Sequence, residues 1–141
     1  MDCIFCKIVS GEIPSVKAYE DDRVLAFMDI SPLNEGHVLI VPKAHAATIH
    51  EITEADFLAV MSVTHKLAAA VKKALNPEGI NLMQLNGRAA NQVVPHLHVH
   101  IVPRWSGDGL TISQWEMVAG DMEKIKAVAE KIQSEIQNPK S

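Results

Sequence analysis

The 141-residue sequence has only two cysteines, Cys3 and Cys6, and only 4% aromatic residues. Two cysteines this close together cannot form a disulfide framework, so the sequence predicts a protein of a reducing compartment. No apolar run approaches the roughly 18 residues that a membrane span requires, and residues 1–10 do not resemble a signal peptide. We therefore expect a cytoplasmic protein without a membrane partner.

The sequence also lacks an excess of basic charge. It has 13 Lys and Arg against 17 Asp and Glu, a formal net charge of −4. A protein that binds the nucleic-acid backbone needs clustered basic charge, so we expect no nucleic-acid partner. An apolar fraction of 48% excludes general disorder, and the length suffices for one core without disulfides. We expect a single domain over residues 1–141, with 138–141 as a loose tail.

Hydrophobic periodicity predicts short strands in hairpin-like groups and two long helices. No glycine-rich phosphate loop follows the first strand, which disfavours a βαβ nucleotide-binding fold. The pattern favours an α+β fold with a largely antiparallel sheet. The predicted elements are a short helix over 2–11, strands over 16–20, 23–29, 37–41, 80–85 and 97–102, a long helix from a Thr53 cap to before Pro77, and a helix over 122–136.

Three of the seven histidines alternate with apolar residues in the run from His96 through His98 to His100. Successive side chains of a β-strand point to opposite faces, so the three imidazoles share one face. Neighbouring imidazoles start roughly 6.6 Å apart and the outer two roughly 13 Å apart. No single atom can easily be contacted by all three, so the spacing favours distinct roles over one three-histidine metal site.

Imidazole can act as a nucleophile, as an acid or base near neutral pH, or as a donor to phosphate oxygens. Two other interpretations stay open from the residues alone: a solvent-facing strand that carries histidines, and a metal-hydrolase site built on His-x-His. The latter lacks nearby acidic ligands, because residues 93–101 contain no Asp or Glu. For His37, His50 and His65 we expect packing or surface roles.

The alternation His-φ-His-φ-His-φ-φ, where φ is apolar, resembles the signature of the histidine triad (HIT) family. Further blocks resemble its Hint branch, which contains purine nucleoside phosphoramidases and related nucleotidyl hydrolases. The resemblance implies a homodimer with a HIT-like fold: an antiparallel sheet of about five strands, one long central helix and a C-terminal helix. The matching blocks are 3–8, 12–14, 26–32, 36–37, 41–45 and 103–104.

The resemblance also implies a reaction on nucleoside 5′-phosphoramidates. His98 corresponds to a nucleophile that attacks the α-phosphorus and forms a nucleotidyl-histidine, which water then hydrolyses. His96 and His100 would orient this ring and donate hydrogen bonds to phosphate oxygens. Asn86 matches a position that binds phosphate or orients the nucleophile.

A purine nucleotide is the substrate that the resemblance implies. The Asp29 carboxylate would accept hydrogen bonds from the ribose hydroxyls. The Hint pattern often has Ser where Val93 stands. Val93 has no hydroxyl group, so only its backbone amide could donate a hydrogen bond to the substrate. For the apolar positions, ordinary core packing is an equal alternative. The expected nucleotide-binding residues are Phe5, Ile8, Phe27, Asp29, Ile30, Asn86, Gln92, Val93, His98 and His100.

Cys3-x-x-Cys6 is half of a tetrahedral zinc site. A redox Cys-x-x-Cys motif would be expected after a strand of a βαβ unit, whereas only two residues precede this one. A subset of bacterial HIT proteins combines this motif with the histidine of the Pro-Lys-x-His block and the first triad histidine. The resemblance thus implies a structural Zn²⁺ held by Cys3, Cys6, His45 and His96; the alternative is two free thiols.

Two functional alternatives remain at this point. One is a dinucleoside polyphosphate hydrolase that uses the same nucleophile. The other is a zinc-stabilised nucleotide-binding module with little turnover. The intact triad together with Asn86 favours catalysis, because a binding module needs no nucleophile.

Overall fold

The structure, a computed structural model, describes residues 3–111 and 119–137. The chain divides into two compact units with the boundary between Leu110 and Thr111. In the described part, the first unit contains α1 (Ile4–Ser10), β1 (Lys17–Glu20), β2 (Val24–Met28), β3 (Val38–Pro42), α2 (Glu54–Leu75), β4 (Gly79–Gln84) and β5 (Val99–Arg104), and the second contains α3 (Met122–Gln137). One domain over 1–141 stays a prediction, and the expected tail, 138–141, lies outside the described residues.

The five strands form one antiparallel sheet in the order β1-β2-β3-β5-β4. The predicted α+β class, the strand number, the long central helix and the C-terminal helix are therefore confirmed. One sheet face packs against α2, through buried side chains that include Ile40 and Ile101 on the sheet and Val60 on the helix. The other face packs against α1, through Phe5, Phe27 and neighbouring residues. Burial on both faces explains why β2 and β3 are almost continuously apolar.

Local capping explains where the two helices of the first unit begin and end. The Cys3 side chain caps α1 by accepting a hydrogen bond from the Cys6 N–H, and Gly11 ends it with a left-handed φ of 84°. Thr53 caps α2, and Asn76 ends it in the left-handed region at φ 48°. Thr53, Gly11 and Asn76 are residue types that helix termini prefer, because they satisfy backbone groups left without an intrahelical partner or adopt the left-handed conformation easily.

The last strand lies two residues further along the chain than the sequence pattern predicts. The Leu97 N–H donates to the Ala46 carbonyl at 2.7 Å, so residues before Val99 are bonded outside the ladder. At the other end, Pro103 is tolerated inside β5. The Arg104 carbonyl faces β4, so the backbone groups of the preceding residue, Pro103, face β3. The pairing of β3 with β5 ends at Ile101, so the missing N–H of Pro103 costs no ladder hydrogen bond.

Within residues 3–111 and 119–137, none of the helices combines the length and the apolar character that crossing a lipid bilayer would require.

Candidate functional site

The three alternating histidines lie on the sheet face that packs against α1. His96 and His98 are buried, and the ring centroids of His98 and His100 are 4.8 Å apart. The Phe5 ring of α1 stands edge-to-face against both His96, at 6.0 Å, and His98, at 5.0 Å. The intervening Val99 packs on the opposite face, in the α2 core. The predicted common face is thus confirmed, and α1 covers part of it.

Backbone carbonyls decide which nitrogen of His96 and His98 carries the proton. His96 Nε2 lies 2.8 Å from the Pro42 carbonyl, and His98 Nδ1 lies 2.7 Å from the His96 carbonyl. A carbonyl can only accept, so each of these nitrogens must donate. In the neutral rings the lone pairs are therefore on His96 Nδ1 and on His98 Nε2. The two rings present free nitrogens at different positions.

The hydrogen bond from His37 gives His100 the opposite tautomer to that of His98. The Leu33 N–H donates to His37 Nδ1 at 3.0 Å, so the neutral His37 ring carries its proton on Nε2. That nitrogen lies 2.9 Å from His100 Nδ1 and donates to it. His100 consequently keeps its own proton on Nε2. His98 offers a lone pair at Nε2, whereas its neighbour offers an N–H.

His37 is the residue whose role the sequence interpretation underestimated. It is buried, as a packing residue would be, but it is also hydrogen-bonded to the triad. The signal lies in the sheet register, where Leu39 pairs with His100. His37 is two residues before Leu39, so it shares the face of His100. This register could not be read from either strand alone.

Burial keeps these rings neutral. It is the largest cause of the lowered pKa values of His37, His96 and His98. For His100, burial and the neighbouring imidazoles of His98 and His37 lower the pKa to about 4, which the Asp29 carboxylate only partly opposes. Unprotonated rings are what the tautomer assignments require.

The expected ribose ligand, Asp29, lies between β2 and His37. Its Oδ1 accepts from the Ser31 N–H at 2.8 Å, and its Oδ2 lies 3.6 Å from His37 Nδ1. The side chain is partly exposed, so acceptor capacity remains for a ligand. Of the expected purine-contacting residues, Ile30 is 89% exposed, whereas Phe5, Ile8 and Phe27 belong to the buried cluster between α1 and the sheet.

The Asn86 and Gln92 side chains are both engaged with other parts of the chain. Asn86 Oδ1 accepts from the Ile49 N–H at 2.8 Å, and its amide group bonds to Gln84. Gln92 is buried, and its amide bonds to the backbone of three residues, Gly87, Ala47 and Val94. Gln92 thus fixes the loop that precedes the histidines. Val93, in contrast, is 89% exposed.

The four expected metal ligands converge on one point. The ligand atoms of Cys3, Cys6, His45 and His96 all lie within 4.8 Å of one another. His96 Nδ1 is 3.3 Å from Cys3 Sγ and 3.2 Å from His45 Nδ1. A tetrahedral zinc site with ordinary bond lengths has ligand–ligand separations of about 3.3–3.8 Å. The lone pair of His96 Nδ1 faces this point, so the donor set fits a metal ion.

Known proteins resemble this chain along most of its length. Residues 10–107 match the family model of the HIT domain. An adenosine 5′-monophosphoramidase of Schizosaccharomyces pombe is 44% identical over 137 residues, 96% of this chain and 99% of that protein.

Solved structures also match most of the chain. A crystal structure of a HIT family protein from Bacillus subtilis has a TM-score of 0.90 at 38% identity, covering 96% of this chain and 97% of that one. A zinc-bound histidine triad family protein from Mycobacterium smegmatis has a TM-score of 0.75 at 33% identity, covering 95% and 97%. The fold, the site and these matches together lead to one conclusion: the chain belongs to the histidine triad (HIT) family.

Proposed function

We propose that the protein is a nucleotide hydrolase that cleaves the P–N bond of purine nucleoside 5′-phosphoramidates through a nucleotidyl-His98 intermediate. The observation that supports this most is the pair of opposite tautomers on His98 and His100. A neutral ring with its lone pair on Nε2 is a nucleophile, and the adjacent Nε2–H is a donor for a phosphate oxygen. The S. pombe relative is named for the same class of reaction.

The reaction proceeds in two displacements. In the first, the lone pair on His98 Nε2 forms a bond to the α-phosphorus while the P–N bond to the leaving group breaks. The amine leaves with the bonding pair and takes a proton from solvent. In the second, a water oxygen bonds to phosphorus, the bond to His98 breaks, and the water releases a proton. The covalent intermediate divides one difficult displacement into two easier ones.

The surrounding residues hold the substrate and the nucleophile. The His96 carbonyl keeps His98 in its reactive tautomer, and Phe5 supports the ring from the side. Asp29 accepts hydrogen bonds from the ribose, with Phe27 and Ile8 behind the purine and the exposed Ile30 against it. Asn86, Gln92 and Val93 belong to the loop that borders the phosphate. The Gln92 side chain acts there by fixing the loop backbone.

Zn²⁺ is the metal that we assign to Cys3, Cys6, His45 and His96. Thiolate and imidazole ligands are its usual donors, and four protein ligands close the coordination shell. When bound, the ion would supply structural cross-linking of the N-terminal helix to the sheet. Its ligand His96 is also the residue whose carbonyl orients His98. We propose a cytoplasmic location, because cysteine ligands remain reduced there.

A second copy of the chain is the macromolecular partner that we propose. In the described part of the sheet, β4 forms an edge, and its Leu82 side chain is 51% exposed. An exposed apolar edge strand invites pairing with another chain. Leu82→Lys should convert dimers to monomers in sedimentation, whereas Val16→Lys, beside the opposite edge, should leave dimers intact. Monomers of the unaltered protein would contradict the assignment.

A hydrolysis assay tests the proposed activity. Purified protein is given a fluorogenic adenosine phosphoramidate and, separately, diadenosine tetraphosphate. We expect cleavage of the first, loss of activity in His98→Ala, and retention of activity in His65→Ala, which alters an exposed histidine of α2. Mass spectrometry of protein quenched during turnover should find a nucleotide on His98. Activity of His98→Ala at the unaltered rate would refute the mechanism. Cleavage of the tetraphosphate alone would favour the polyphosphate hydrolase.

A further inference from the structure

A cavity lies beside the loop that connects Asn86 to the triad. Its volume is about 600 Å³, which falls within the range typical of small-molecule sites. Residues 47–48 line one side. Gly87, Arg88, Gln92 and Val93 are among the residues that line the other. Neither the metal ligands nor the triad histidines line it, so the cavity adds a further surface next to the proposed phosphate position.

The two sides of this cavity are fixed relative to each other. The buried Gln92 side chain donates to the Ala47 carbonyl at 2.7 Å and accepts from the Gly87 N–H at 2.7 Å. Next to it, the Leu97 N–H donates to the Ala46 carbonyl at 2.7 Å. Separating the sides would break these partly buried hydrogen bonds, which is costly. The cavity is therefore preformed, and a ligand would not have to open it.

The lining combines apolar surface with one permanent positive charge. Ala47, Val93 and Pro95 contribute apolar groups, and among the residues that the structure describes Arg88 is the one ionisable residue of the lining. Its guanidinium forms no ion pair with residues 3–111 or 119–137. A guanidinium stays charged at any physiological pH and binds carboxylates with two parallel hydrogen bonds. The chemistry of the cavity thus suits a small group with a negative charge.

The location of the cavity indicates which part of a substrate could reach it. The nucleoside is assigned to Asp29 and Phe27, at the end of β2, and the phosphorus to His98. The cavity is built from a different loop, whose residues 92 and 93 border the phosphate in the proposed function. The remaining substituent of the phosphorus, the leaving group, is therefore the part of the substrate that can reach the cavity. This step rests on the proposed function.

We infer that the cavity is the leaving-group subsite and that Arg88 selects amines that carry a carboxylate. Among nucleoside phosphoramidates, this chain then favours those whose amine carries a carboxylate over those whose amine is neutral. The apolar wall around Val93 contacts the carbon skeleton, and the guanidinium pairs with the carboxylate. A neutral amine of the same size fills the same space without the ion pair.

Two matched substrates test this inference. They are the adenosine 5′-phosphoramidates of glycine and of glycinamide, which differ in one charge. The ratio of their kcat/KM values is compared between the unaltered protein and its variants, so that the intrinsic reactivity of the two amines cancels. Arg88→Met should lower the glycine-to-glycinamide ratio by about two- to fivefold, the value of an exposed ion pair. The loss should fall on the glycine substrate alone.

Variants of the same position and of a distant one serve as controls. Arg88→Lys should retain part of the preference and Arg88→Glu should reduce it further. Lys73→Met removes one positive charge from an exposed position on α2 and should leave the ratio unchanged. Higher ionic strength should reduce the preference of the unaltered protein, because salt screens an exposed pair.

The outcomes separate this inference from the proposed function. If Arg88→Met leaves the ratio unchanged while both substrates are cleaved, the inference is overturned and the hydrolase assignment stands. An equal fall of both rates in Arg88→Met would likewise overturn it. If the unaltered protein cleaves neither substrate, the hydrolase assignment fails and the inference fails with it.

Discussion

His37 Nε2 lies 2.9 Å from His100 Nδ1, and this contact sets the proton position on a triad histidine from the residue immediately before β3. The chain of donors runs from the Leu33 N–H to His37 and from His37 to His100. Each donor in the chain is fixed by the backbone or by burial. His37 is therefore a positioning residue in the proposed mechanism.

Replacing His37 should impair turnover more than binding. His37→Phe keeps the ring volume but removes the donor to His100 Nδ1, which frees His100 to adopt the other tautomer. We expect kcat to fall by at least about tenfold with little change in KM, since a misdirected tautomer costs catalysis rather than affinity. His37→Gln, which can still donate, should restore part of kcat. If both variants have the melting temperature of the unaltered protein and His37→Phe is as active as His37→Gln, the hydrogen bond from His37 to His100 has no catalytic role.

Acid should destabilise the fold through His100. Its pKa is about 4 in the folded chain, below the ordinary value of 6.5, because burial and the neighbouring His98 and His37 disfavour its charge more than Asp29 favours it. The unfolded chain thus takes up the proton first. The stability is complete above pH 6.5 and declines as the pH falls toward 4.

Denaturant unfolding across this pH range measures the effect. One proton taken up on unfolding gives a slope of about 1.4 kcal/mol per pH unit. His100→Gln should lower the slope by about this amount, whereas His65→Gln should leave it unchanged. The other histidines with lowered pKa values, His37, His96 and His98, are present in all three proteins, so the difference between the slopes reports the loss of His100. Identical slopes in the three proteins would contradict the assignment.

The sequence predicts most of the fold because its elements are defined by local signals. Thr53 and Asn76 mark the ends of α2, and the apolar period defines the face between them. The exception is the histidine strand, which the sequence pattern predicts over 97–102 and which lies at Val99–Arg104. The strand begins later because the Leu97 N–H bonds to the Ala46 carbonyl, which belongs to a segment far away in the sequence. No local pattern reports such a bond.

The same distinction applies to the site. The alternation of the three histidines with apolar residues predicts their shared face, and the structure retains that face although His96 and His98 precede β5. The contact of His37 with His100 depends on register between two strands, and the bonds of Gln92 depend on where two loops meet. These roles depend on contacts between segments that are far apart in the sequence, and the sequence pattern does not specify such contacts.

Removal of either cysteine should abolish metal binding. Cys3→Ser and Cys6→Ser each remove a ligand of the cluster, and a closed four-ligand site cannot be completed by the remaining three residues. Elemental analysis should find about one zinc per chain in the unaltered protein and much less in either variant. Ser10→Ala, on the last turn of α1, is the matched control and should retain the metal. Equal zinc content in all four proteins would refute the assignment of these ligands.

A methyl group at Gly36 should destabilise the loop that carries His37. Gly36 has a φ of 83°, and a Cβ there would overlap the Leu75 side chain of α2 and approach Pro103 Cγ to 3.1 Å. Gly36→Ala therefore combines backbone strain with overpacking, and we expect the free energy of unfolding to fall by about 2–4 kcal/mol. Gly11→Ala has the same backbone strain, at φ 84°, but open space around the Cβ, so it should cost only about 1 kcal/mol. Urea denaturation of both variants separates the two contributions. Equal losses would show that α2 yields to the added methyl and that strain alone fixes glycine at this position.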